Sequence, residues 1–162
     1  MTLWRRGRPD VAVRAGESAL AWAETDDGRV IAGTRDAIYL DGVRLPWEEV
    51  EAADWDQESD RFRLSEVGTW GEPRREHVLT IKDPGRLLEL VRERVTASVV
   101  LQWHVEVTER RGLRVIARRA PRGDRPVRWL FEYDEGVDPD DPAVREVAEA
   151  TLRDAMAEVG PS

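Results

Sequence analysis

Asp41 and Gly42 stand between two short apolar segments, Ala37–Leu40 and Val43–Leu45. A two-residue connection of this kind closes as a type I′ turn, which needs positive φ at both central positions; Asp tolerates this and Gly favours it. The register follows. Leu40 falls opposite Val43 and Ile38 opposite Leu45 on one apolar face, while Tyr39 and Arg44 meet on the other. An isolated hairpin is marginal in water, so this pair requires more sheet around it.

The neighbouring sequence supplies it. A strand fits Ser18–Glu24, with Leu20 and Trp22 on one face, and Arg29–Thr34 returns after the turn Thr25-Asp26-Asp27-Gly28. Pro46 ends the strand after the Asp41-Gly42 turn, and Trp47 and Val50 flank the acidic turn Glu48-Glu49. Val50–Asp56, Arg61–Val67 (Phe62 and Leu64 inward) and Glu76–Ile81 complete seven strands, with Gly68–Pro73 as a loop. Asp83 fits a helix N-cap and Pro84 the first helical position. Leu87, Leu88, Val91 and Val95 then form an apolar helical stripe.

Seven short strands and one amphipathic helix resemble a pleckstrin-homology-like (PH-like) domain of the bacterial kind. The stretch GTRDAIYLDGVRLPWEEVEAADWDQESDRFRL (33–64) carries the likeness, with Trp47 and Val50 in a W-x-x-V element. The resemblance covers roughly residues 17–97. It implies a bent seven-stranded β-sandwich closed by a helix, acting as a non-enzymatic binding scaffold. Residues 1–16 are expected to be an N-terminal arm.

Residues 98–162 exceed a minimal domain of that type. Leu101, Trp103, Val105 and Val107 alternate, as do Leu113, Val115 and Ala117, and then Val127, Trp129, Phe131 and Tyr133. These runs predict a three-stranded antiparallel meander. Its first loop is Glu109-Arg110-Arg111-Gly112, with Gly112 as the left-handed residue. Glu106 should then pair with Arg114, Gln102 with Arg118, and Glu132 lie beside Arg114. Asp141 and Pro142 open a last helix, whose Val144, Ala148, Leu152 and Ala155 should cover the meander. The expected class is α+β: a PH-like sandwich extended by a meander and C-terminal helix packed on the first part.

Composition narrows the function. With no Cys, thiol catalysis, disulfides and Cys-based zinc sites are excluded. No apolar run is long enough for a membrane span, and no export-signal core follows Arg5-Arg6, so a cytoplasmic protein without membrane insertion is expected. Phosphate-loop motifs are missing. His77 and His104 have no evident nucleophile or metal-spaced partner, so no enzyme, metal or cofactor is expected. The acidic stretch EYDEGVDPDD (132–141) departs from a calcium-loop pattern and suits a helix N-terminus.

Charge is segregated. The chain carries a net −8, but residues 104–129 hold eight Arg against three acidic residues. There are 24 Arg and one Lys, a bias that fits a GC-rich genome. Arg110, Arg111, Arg118, Arg119, Arg122, Arg125 and Arg128 are the candidate anion or partner contacts, with Arg118 and Arg128 facing outward side by side. Trp4 and Trp70, the two Trp hardest to bury, are candidate exposed contacts. The leading expectation is a non-catalytic protein-interaction or scaffold module. The alternative is a nucleic-acid-associated protein that grips phosphates through the Arg hairpins. The acidic Thr25–Gly28 turn lacks the basic cradle of lipid-binding relatives. A homodimer through an uncovered meander edge stays open.

Overall fold

The computed structural model describes residues 11–68, 74–121 and 126–160. Within them the chain is α+β, with three antiparallel sheets and two helices. It divides into two compact units: the first runs to Ser98 and also takes in Ala120 and Pro121, and the second begins at Val99. Among the described residues no helix is long and apolar enough to cross a membrane.

The first unit holds two sheets. Strands β1 (Ala21–Glu24), β2 (Val30–Gly33), β3 (Ala37–Leu40) and β4 (Val43–Pro46) pair in sequence order. Strands β5 (Val50–Asp56), β6 (Arg61–Glu66) and β7 (Glu76–Thr80) form the second sheet in the same manner. A 3-10 turn over Trp47–Glu49 joins the sheets. Helix α1 (Leu87–Ala97) packs on β1, β2, β5 and that turn. Ile31, Ile38, Leu40, Trp47, Phe62, Leu64, Ile81 and Leu87 are fully buried and form one core.

The Asp41-Gly42 hairpin has the expected register. Leu40 pairs with Val43, Ile38 with Leu45 and Tyr39 with Arg44. Asp41 and Gly42 take φ of 50° and 72°. Two other expectations are corrected. In β1 it is Ala21 and Ala23 that are buried, while Leu20 is 49% exposed and Trp22 half-buried. Either parity satisfies a period of two, and a pair of alanines is the weaker signal beside Leu and Trp. Asp83 does not cap α1. It accepts from the Gly85 N–H at 3.1 Å, Leu87 N–H donates to the Pro84 carbonyl at 3.0 Å, and Gly85 has φ of 54°. A residue in the left-handed region ends any helix there, so Asp83-Pro84-Gly85 is a turn and α1 starts at Leu87.

A polar knot on the first sheet was not foreseen. The Glu17 carboxylate, its side chain 4% exposed, accepts from Thr34 Oγ1 at 2.7 Å and Tyr39 Oη at 3.1 Å. Arg44 contributes Nε at 3.0 Å and a terminal nitrogen at 2.9 Å. Tyr39 Oη also accepts from the Arg14 N–H at 2.9 Å. Burial alone would raise the Glu17 carboxyl's pKa. Hydrogen bonds from Thr34, Arg44 and Tyr39 outweigh that and hold it below its ordinary value.

The second unit is a meander of β8 (Val99–Thr108), β9 (Arg111–Arg118) and β10 (Arg128–Tyr133), in spatial order β10-β9-β8. Helix α2 (Pro142–Val159) lies on β8 and β9. Asp141 accepts from the Ala143 N–H at 2.9 Å, Pro142 occupies the first turn, and Gly160 ends the helix at φ of 81°. Leu113, Val115, Val144, Ala148 and Ala155 are the buried core, flanked by Trp103, Trp129 and Phe131.

Glu132 pairs with Arg114 as expected, but the β8–β9 register differs by two residues. His104, not Glu106, is opposite Arg114, and Ile116, not Arg118, is opposite Gln102. The turn is tighter than the expected four-residue loop, because Glu109 and Arg110 both take positive φ (37° and 69°) and Thr108 pairs with Arg111. Gly112 is therefore in the strand, not at the left-handed position. A Cβ there would sit 1.8 Å from the Val105 carbonyl oxygen, so only glycine permits the close approach.

Two predictions follow from this packing. Gly112→Ala should destabilise the protein by roughly 2–4 kcal/mol in urea denaturation. Gly28→Ala, at positive φ with nothing within 4 Å of the added methyl, should cost only about 1 kcal/mol. Equal losses would refute the close-approach role. For the Glu17 knot, a folded carboxyl below its ordinary 4.5 gives stability that is complete above pH 4.5 and lost as pH falls through the folded value. Glu17→Gln should flatten the acid limb of the stability profile relative to the parent chain, measured by thermal melts across pH 3 to 6.

Candidate functional site

Strand β5 reads V-E-A-A-D-W-D, with Ala53 and Trp55 turned toward the first core and Ala52, Asp54 and Asp56 exposed. It is an edge strand, bonded to β6 on one side and to no strand on the other among the described residues. Beside it runs α1. Its 3.6 periodicity buries Leu87 and Val91 but leaves Leu88 and Val95 half-covered. Between strand and helix lies a groove of about 340 Å³. Phe62 and Val91 form its floor, 0% and 4% exposed, and Trp55, Leu88 and Val95 its walls. Trp55 is held in place by its indole N–H, which donates to the Ile81 carbonyl at 3.0 Å. Asp54, Arg92 and Thr96 are the polar lining.

Strand β5 and its flanks are acidic, and across the sheet Asp54 lies opposite Arg63 and Asp56 opposite Arg61, of which Arg63 is paired with Glu76. Seven carboxylates and no basic residue lie between Glu48 and Asp60. Arg74 neutralises Glu51 and Asp54 is exposed. Asp56 accepts from Ser59 Oγ at 2.8 Å and the Glu58 N–H at 3.0 Å, which holds its carboxyl below the ordinary range. An apolar trough with an acidic margin suits an extended, basic polypeptide. The sequence pattern already contained the acidic run, but only the folded chain brings α1 against β5.

The described Arg candidates do not form one patch. Arg110 and Arg111 are exposed at the β8–β9 turn. Arg119 and Arg128 are exposed near the other end of β9, about 23 Å away along an eight-residue strand. Arg114, midway, lies 3.9 Å from Glu132. Arg118 pairs with Arg128 across the strands as expected, yet it does not face outward to solvent: it is 5% exposed and engaged within the protein. The even spacing of polar residues along β9 suggested an outward face, but Ile116 on that face is buried too. Arg122, Arg125, Trp4 and Trp70 lie outside the described residues.

Near the turn, Asp134 Oδ2 accepts from the Gly112 N–H at 2.7 Å and lies 3.0 Å from His104 Nε2. The His104 hydrogen bond, then that from Gly112, holds the Asp134 carboxyl below its ordinary range. His77 is 2.7 Å from Glu66 on β6. Each imidazole thus faces one carboxylate among the described residues. Among the described residues no three His, Asp or Glu side chains converge as metal ligands. In the first hairpin turn, Arg29 is engaged by Asp27 and Asp41, and its hydrogen bond, followed by that of Thr25, lowers the Asp27 pKa to about 2. That turn presents carboxylate, not a phosphate cradle.

If Arg118 is structural, Arg118→Ala should cost roughly 3 kcal/mol in urea denaturation, the scale for disrupting a buried charged group. Arg119→Ala and Arg128→Ala should stay within about 0.5 kcal/mol, as exposed substitutions do. A neutral Arg118→Ala would return it to the set of surface contacts. Neither a family model, nor a curated protein, nor a solved structure matches this chain.

Proposed function

We propose that this chain is a non-catalytic binding module on a PH-like plan, and that its ligand is an extended basic segment of a protein partner laid along β5. The plan is supported by seven strands in two antiparallel sheets followed by α1. The observation that carries the binding reading is the groove lined by Trp55, Phe62, Leu88, Val91 and Val95 beside an unpaired strand edge. Such an edge offers main-chain hydrogen bonds for affinity, and the trough offers apolar pockets for alternate side chains. The acidic margin selects positive flanks and speeds encounter. The split arrangement of the Arg residues gives phosphate binding less geometric support.

The test is a nuclear magnetic resonance titration with a synthetic ten-residue peptide of alternating Lys and Val, and separately with a single-stranded oligonucleotide. The peptide should shift amides of Ala52–Asp56 and Leu88–Thr96, and its affinity should fall with added salt. Asp54→Lys, an exposed change, should weaken binding by about fivefold, in line with a lost rim charge. A peptide that shifts nothing in the groove, or an oligonucleotide that shifts Arg110, Arg119 and Arg128 instead, would overturn the proposal.

A further inference from the structure

Among the described residues β8 is the longest strand, ten residues, and it is an edge. None of its residues is buried: Leu101, Trp103, Val105 and Val107 are half-covered by the α2 side of the sheet, and Val100, Gln102, His104, Glu106 and Thr108 are exposed. The central strand β9 shows the contrast, since Leu113, Val115, Ile116, Ala117 and Arg118 are all buried. Edges of this length are ordinarily blunted by Lys, Pro or inward charge. Here Glu106 is the one acidic residue, and β8 has no Lys, Arg or Pro.

The strand is self-complementary. In an antiparallel pair of identical strands, only registers that match residues of equal parity keep the apolar faces together. With His104 on a two-fold axis, Trp103 faces Val105, Leu101 faces Val107, and Gln102 faces Glu106 of the second copy. Between Leu101 and Val107 every apolar residue of the covered face then meets an apolar one, and each Glu106 carboxylate meets an amide that can donate to it. Of the two neighbouring matched registers, the one centred on Trp103 puts Glu106 opposite Val100, and the one centred on Val105 puts Leu101 opposite Glu109, beyond the strand. The pairing of β8 with β9 is irregular between Val99 and Leu101 and between Glu106 and Thr108, so the regular stretch is Leu101–Glu106. The His104-centred pairs of Gln102 to Glu106 fall within it.

We infer that two copies of the chain associate through β8, antiparallel about His104, to make one continuous six-stranded sheet from two three-stranded ones. A closed two-fold arrangement uses the same edge on both copies and leaves no further β8 edge to propagate. This inference is independent of the groove on the first unit.

Sedimentation of the full chain over a range of concentrations should show the mass rising from 18.5 kDa to twice that value. Gln102→Glu sets carboxylate against carboxylate at two places per dimer and should weaken association by about tenfold; Gln102→Lys should strengthen it. Gln102 is exposed, so thermal melts of both variants at low concentration should match the parent. The chain has no Cys of its own. His104→Cys should therefore give a disulfide-linked dimer on mild oxidation, since directly opposed antiparallel residues lie within disulfide reach. Glu135→Cys, on an exposed loop, should not. A monomer at all concentrations, a dimer indifferent to both Gln102 changes, or equal cross-linking of the two Cys variants would each overturn the inference.

Discussion

The first unit depends on how the chain leaves one sheet and enters the next, and Trp47 governs that passage. It is fully buried between β4 and β5, where a four-stranded sheet gives way to a three-stranded one. Its indole N–H donates to the Thr34 carbonyl at 2.9 Å and its own backbone N–H to the Asp36 carbonyl at 3.2 Å. Both acceptors lie at the β2–β3 turn. One side chain therefore fills the core and ties the sheet crossover to the preceding hairpin. A large aromatic with a satisfied polar end serves both ends at once, because an unpaired indole N–H in that position would carry a desolvation penalty. Thr34 is correspondingly occupied, with its carbonyl on Trp47 and its hydroxyl on Glu17 and the Ala37 carbonyl.

The features legible in the sequence were those determined by neighbours in the chain. Asp41-Gly42 set its own hairpin, and Asp141-Pro142 set the start of α2. The meander's alternation identified its covered face through Trp103, Val115 and Phe131. The features that were not legible turn on choices local pattern leaves degenerate. Asp83-Pro84-Gly85 suits a helix start as well as a turn, and the positive φ at Gly85 decides between them. Glu109-Arg110 adopts a left-handed pair that its residue types do not favour, and the β8–β9 register shifts with it. Glu17 carries no local mark of burial. Its environment is assembled from Thr34, Tyr39 and Arg44, up to 27 residues away.

The candidate groove divides the same way. Its acidic margin and its helical stripe are both visible as sequence patterns, yet nothing local says that Leu88 and Val95 stop short of full burial beside Trp55. That depends on the path of α1 after the Gly85 turn. The Arg-rich stretch shows the reverse error. Proximity along the chain suggested a cluster, but a strand separates its residues by about 3.3 Å each, so a run that is dense in sequence is spread out in space.

The two strand edges illustrate how the same backbone property acquires different partners. Among the described residues β5 and β8 each have a strand neighbour on one side only. Beside β5 lie an apolar trough and the exposed Asp54 and Asp56, so the proposed partner brings positive charge and separately shaped side chains. Along β8 the flanks are nearly neutral and the apolar positions repeat at a spacing that maps onto itself under a two-fold rotation. In the two proposals, charge asymmetry on one edge calls for a different partner, and pattern symmetry on the other is satisfied by an identical one. Side-chain chemistry alongside the backbone, and not the free hydrogen-bonding groups themselves, is what would distinguish recognition from self-association on the two proposed surfaces.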